Sequence, residues 1–139
     1  CIIGKCSPNS LANEIRQIAP PNVTFICESP SFEELAHYIR KSAFVLAPYC
    51  PDSVLSSGIL MDSLSFGSKI IGPEVGSFKD YAREKRLNVY TFHDYEDIEK
   101  TVACYKTTPI SLEDYRSFLN ENNWEHFGNR IIKLVKSLK

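Results

Sequence analysis

Short apolar runs alternate with longer segments of helical period along most of this chain, and that alternation restricts the fold more than any single residue does. Ile2 to Gly4, Val23 to Ile26, Phe44 to Leu46, Ile70 to Ile71 and Val89 to Phe92 each read as a strand, being short, apolar and bounded by turn-forming residues. Leu11, Ile15 and Ile18 fall at i, i+4, i+7, and Phe32, Leu35 and Ile39 at i, i+3, i+7, so both intervals predict amphipathic helices. Pro20 and Pro21 stop the first, since proline has no N–H to continue the ladder. Ser31, with Glu34 three residues on, spells a capping box at the start of the second. A third helix is predicted from Ser57 to Gly67, whose glycine suits the left-handed position past the last turn. A fourth is predicted from about Ser77 to Lys85 and a fifth from about Asp94 to Tyr105.

Strands separated by single helices require right-handed crossovers, so the pattern predicts an α/β fold: a three-layer, Rossmann-like parallel sheet with helices on both faces. From about residue 109 to 139 the pattern changes. Leu112, Tyr115 and Leu119, then Trp124, Phe127, Ile131, Leu134 and Leu138, mark two helices with no strand between them, a helical tail. The expectation is a single domain over 1–139. The chain begins inside an apolar stretch without an initiator Met, which adds the expectation that it is truncated on its N-terminal side. Its five strands then either close in the order 2-1-3-4-5 or follow a strand that lies upstream.

Several functions are disfavoured at once. Sixteen Lys and Arg against seventeen Asp and Glu leave a net charge of −1, so no global field draws in a polyanion, and nucleic acid is not an expected partner. The five cysteines are odd in number and include no C-x-x-C pair, which reads as reduced thiols and a cytoplasmic setting. No apolar run approaches the roughly 18 to 20 residues that span a bilayer. A strand followed by G-x-G-x-x-G is absent, as are G-x-x-x-x-G-K-[ST] and G-x-S-x-G. His37, His93 and His126 are dispersed and no cluster has metal spacing, so neither a metal nor a cofactor is expected.

One loop stands apart. In an open α/β sheet ligands bind at the carboxyl ends of the strands. After the third strand comes Tyr49-Cys50-Pro51-Asp52-Ser53-Val54-Leu55-Ser56-Ser57-Gly58, running straight into a helix. Unpaired backbone N–H groups at the helix start, beside the Ser56 and Ser57 hydroxyls and a glycine that lets a phosphate approach closely, form a ready anion site. Asp62 is four residues past Gly58, about 6 Å further along the same helix face, where a carboxylate can accept two hydrogen bonds from a ribose diol. The plainer reading is that Ser-Ser-Gly caps the helix and Asp62 favours its dipole.

The run FVLAPYCPDSVLSSGILMDSLSFGSKIIGPEVGSFKDY, residues 44 to 81, resembles the donor-binding core of group 1 glycosyltransferases of the GT-B class. Asn22-Val23-Thr24-Phe25 with Ser31 to Leu35 resembles that family's preceding strand and helix, and Asn123-Trp124-Glu125 its C-terminal helix. The resemblance implies a nucleotide-sugar site in which the Gly58 and Ile59 amides and the Ser57 hydroxyl meet the diphosphate, Asp62 the ribose, and Ser29 and Pro30 the base edge. Val54 stands where the family often has a Glu touching the donor sugar, which leaves Asp52, with Ser53, as the candidates for that contact. The family's opening strand, with its basic loop, has no counterpart here, and Lys5 is the basic group left for the phosphates.

The expected function is therefore metal-independent transfer of a sugar from a nucleoside-diphosphate donor to an acceptor such as a growing glycan or a lipid-linked chain. The acceptor would be held mainly by an N-terminal domain that this chain lacks, so the isolated chain is expected to be inactive. The alternatives are a non-catalytic flavodoxin-like module that binds a nucleotide or a protein, and a structural domain whose Ser57-Gly58 turn is only a cap. In the last helix Arg130, Lys133, Lys136 and Lys139 recur every three residues. The expected arrangement is a solvated basic face with the apolar side in the core; peripheral contact with an anionic inner membrane face is the alternative.

Overall fold

The structure is a computed structural model and describes residues 1–50, 52 and 57–138. It divides into two compact units, Cys1–Tyr38 and Ile39–Lys139.

In the first unit β1 (Ile2–Ile3) lies parallel to β2 (Phe25–Ile26), with Ile2 opposite Phe25 and Ile3 opposite Ile26. The crossover between them contains α1 (Asn9–Ile18), which ends where expected: Ala19 N–H still reaches the Ile15 carbonyl at 2.8 Å, and Pro20 has no N–H to follow it. The face it buries differs from the sequence expectation. Ala12 is covered, while Leu11 and Ile18 are exposed. Two strands of two residues each offer too little surface to bury a broad apolar stripe. Cys6 is buried as well, and burial, with the Cys27 thiol beside it, pushes its thiol above the ordinary value. No disulfide joins the five cysteines.

The next helix, α2 (Phe32–Lys41), opens in the first unit on a complete capping box. Glu34 N–H donates to Ser31 Oγ at 3.2 Å, and Ser31 N–H donates to the Glu34 carboxylate at 2.8 Å. The bond from the Ser31 backbone, then that involving its side chain, holds the Glu34 carboxyl below its usual range.

The second unit contains β3 (Val45–Leu46), β4 (Ile70–Pro73) and β5 (Val89–Phe92), all parallel and in the order β3-β4-β5. The protein is thus α/β, with two small parallel sheets of two and three strands. Between β3 and β4 runs α3 (Gly58–Ser65), and between β4 and β5 runs α4 (Gly76–Tyr81). Three helices follow: α5 (Glu96–Tyr105), α6 (Leu112–Glu121) and α7 (Trp124–Ser137).

Local chemistry sets most of these boundaries. At the end of α3, Gly67 takes φ 68°, its N–H reaches the Leu64 carbonyl at 3.1 Å, and Ser68 N–H reaches the Ser63 carbonyl at 2.9 Å. Those two bonds are a Schellman motif, and the left-handed residue in it is the glycine that the sequence offered. Proline in the middle strand looks forbidden, yet the Pro73 nitrogen lies on the side where β3 has already ended. With no donor opposite, the Ala47 carbonyl instead accepts Tyr49 N–H at 2.9 Å, and the chain turns away into the loop before α3.

The fourth helix stops at Tyr81, short of the expected Lys85. Arg83-Glu84-Lys85-Arg86 has no apolar residue to lay on the sheet, so turns replace the ladder. Arg86 instead binds Glu84 at 3.1 Å and Glu121 at 2.9 Å, and these hydrogen bonds hold both carboxyls below their usual range.

The core of this unit comprises Ala47, Leu60, Leu64, Ile70, Phe78, Leu87, Val89, Tyr115 and Phe118. Tyr115 brings a hydroxyl inside. It accepts Asn88 N–H at 2.9 Å, and its proton faces the Ser68 carbonyl at 3.0 Å, while burial pushes the phenol up to about 12. Lys69 is buried too, and its Nζ donates to the Tyr105 and Lys106 carbonyls at 2.7 and 2.8 Å, satisfying the end of α5. No helix among the described residues is long and apolar enough to cross a membrane.

Candidate functional site

The start of α3 follows the carboxyl end of β3, and its first turn leaves specific donors open. Ser57 is the N-cap at φ −140°, ψ 120°, and its Oγ accepts Leu60 N–H at 3.3 Å. Met61 N–H makes the first helical bond, to the Ser57 carbonyl at 3.4 Å. The Gly58 and Ile59 N–H groups have no acceptor among the described residues. Both belong to the turn where the helix dipole is positive.

Gly58 is exposed, its φ is not positive, and a Cβ placed on it would meet no atom of the described residues within 4 Å. Neither backbone conformation nor packing therefore requires glycine here, although glycine costs a helix about 0.8–1 kcal/mol relative to Ala. Asp62, half-buried, stands one turn further along the same face. Ser57 itself is buried, and its hydroxyl lies 3.5 Å from Tyr49 Oη. It serves first as the cap.

The other expected contacts are distributed as follows. Lys5 is exposed just past β1, and Ser29 (exposed) and Pro30 (half-buried) fall between β2 and the capping box of α2, so all three lie at carboxyl strand ends of the first unit. Ser57, Gly58, Ile59 and Asp62 share one helix start in the second. Asp52 is exposed, and Ser53 lies outside the described residues.

At the same carboxyl edge of the three-stranded sheet, His93, one of the dispersed histidines of the sequence, meets a partner that its sequence neighbours do not show. Pro73 pairs with Phe92, which sets the residues that follow them, Glu74 and His93, side by side. His93 Nε2 lies 2.6 Å from Glu74 Oε2, and Lys79 Nζ lies 4.0 Å from the other carboxylate oxygen. The carboxylate orients the imidazole ring at this edge. Only the strand register could have revealed the pair, because the two residues are far apart in sequence.

Two buried hydroxyls, Ser63 Oγ in α3 and Ser77 Oγ in α4, have no hydrogen-bond partner among the described residues. Also among the described residues, no group of three or more His, Cys, Asp or Glu side chains is placed to hold a metal ion. The chain matches no protein-family model, no curated protein and no solved structure.

Proposed function

We propose that this chain is the nucleotide-sugar-binding half of a GT-B-type glycosyltransferase, with its parallel strands and helices arranged as a three-layer Rossmann-like domain. The observation that carries the reading is the opening of α3, where two N–H groups without an acceptor among the described residues stand at a glycine that none of the described residues requires. A diphosphate seated there meets the Gly58 and Ile59 amides and the positive end of the helix, and the Ser57 proton can turn toward it. Asp62, one turn on, accepts from the ribose hydroxyls, as the spacing of phosphate and ribose in a nucleotide allows. In transfer, the same fixed dipoles oppose the charge that develops on the departing diphosphate, without reorganising at the moment of reaction. Asp52 and Ser53 are the proposed contacts to the sugar.

Asp62→Ala tests this reading against a plain helix cap. Charge-assisted bonds to a ribose diol are worth about 1.5–3 kcal/mol each at best, so the variant should bind UDP or GDP roughly tenfold to several hundredfold more weakly. A carboxylate that serves only the helix dipole predicts unchanged affinity and a stability loss of about 0.3–1 kcal/mol. A calorimetric titration paired with a thermal melt reads both quantities from one protein.

A further inference from the structure

We infer that α7 is an interfacial helix that seats on an anionic lipid surface, independently of what α3 binds. The sequence left this helix with its apolar side in the core; the structure instead leaves every described residue of it unburied. At 100° per residue, Trp124, Phe127, Ile131, Leu134, Val135 and Leu138 fall within about 100° of arc, and Ile132 extends that arc on one side. All seven are exposed, Trp124 at 86%.

Charge selects the occupant. Arg130 borders the apolar arc on one side and Lys136 on the other, with Lys133 between them on the polar face. Glu125, in the first turn, is the one acid among three basic residues, in a chain whose net charge is −1. Neither Lys133 nor Lys136 makes an ion pair among the described residues. Basic side chains flanking an apolar stripe reach lipid phosphates while the stripe enters the acyl boundary, whereas an acidic protein groove would need a matching apolar floor. The Trp124 and Phe127 rings meet edge to face at 5.7 Å, and with Met61 they line a recess of about 550 Å³ open to an acyl chain. At fourteen residues the helix lies in the interface and does not cross it.

The chain has one tryptophan, Trp124, so its fluorescence reports this helix alone. Vesicles of phosphatidylcholine mixed with phosphatidylserine should shift its emission to the blue, brominated acyl chains should quench it, and the protein should sediment with the vesicles. Added salt should reverse all three effects. Replacing Lys133→Gln and Lys136→Gln together should weaken partitioning roughly thirtyfold, at about a fivefold loss for each basic residue removed. Leu134→Ser with Val135→Ser should abolish it, and both pairs are exposed, so melting curves should match the parent's. Unchanged emission with these vesicles would overturn the proposal. So would equal partitioning onto phosphatidylcholine alone, or emission already blue-shifted without vesicles in a concentration-dependent dimer, which would make a second copy the occupant.

Discussion

Gly58→Val should abolish nucleoside-diphosphate binding while the protein keeps its melting temperature. The space around that position holds no atom of the described residues to 4 Å and its φ is one that any residue adopts, so the valine meets no clash with them. In a helix valine is, if anything, favoured over glycine by a few tenths of a kcal/mol. Its branched methyls would stand in front of the Gly58 and Ile59 N–H groups, where a phosphate oxygen must come within about 3 Å. Calorimetry with UDP and GDP reads the first effect and a thermal melt the second. Equal binding by variant and parent would return the start of α3 to the status of a cap.

Gly72→Val should do the opposite, costing about 3 kcal/mol or more of stability. Gly72 is on β4, the middle strand of its sheet, and a Cβ there would lie inside the contact distance of the Phe78 ring. Phe78 is fully buried and has nowhere to move without opening the core between β4 and α4. Urea denaturation of Gly72→Val, Phe78→Leu and the double variant should show a favourable coupling, the smaller residue partly relieving the clash. A parent-like midpoint for Gly72→Val would contradict the packing described. The two glycines look alike in the sequence, and only their surroundings separate an open position from a packed one.

That contrast marks what was legible. Pro20, the Ser31 and Glu34 box, the Ser57 cap and the Gly67 terminus are settled by residues within a turn of one another, and each does in the structure what its neighbours imply. The carboxyl-end positions of Lys5, Ser29, Pro30 and Ser57 follow from the strands themselves. Other features depend on register or on distant partners. Lys69 reads as a solvated charge until α5 returns its carbonyls to it, and Tyr115 reads as one more apolar position until Asn88 and Ser68 surround its hydroxyl. Glu74 and His93 meet only because β4 and β5 align Pro73 with Phe92. Periodicity found α1 and α7 but not what covers them, since a moment gives the direction of an apolar face and says nothing of a surface opposite it. Hence Leu11, Ile18 and the stripe of α7 are exposed where burial was expected.

The start of α3 is proposed to recognise a diphosphate, and Asp62 the ribose beside it. Calorimetric titration of the parent chain with UDP and GDP, against UMP, GMP and the 2′,3′-dideoxy diphosphates, addresses both halves. Saturable binding of at least one diphosphate is expected, with weaker binding of its monophosphate because the helix amides lose their anion, and a penalty of roughly tenfold or more for the dideoxy analogue. Absence of binding by either diphosphate, or affinities indifferent to both the second phosphate and the ribose hydroxyls, would contradict the proposal.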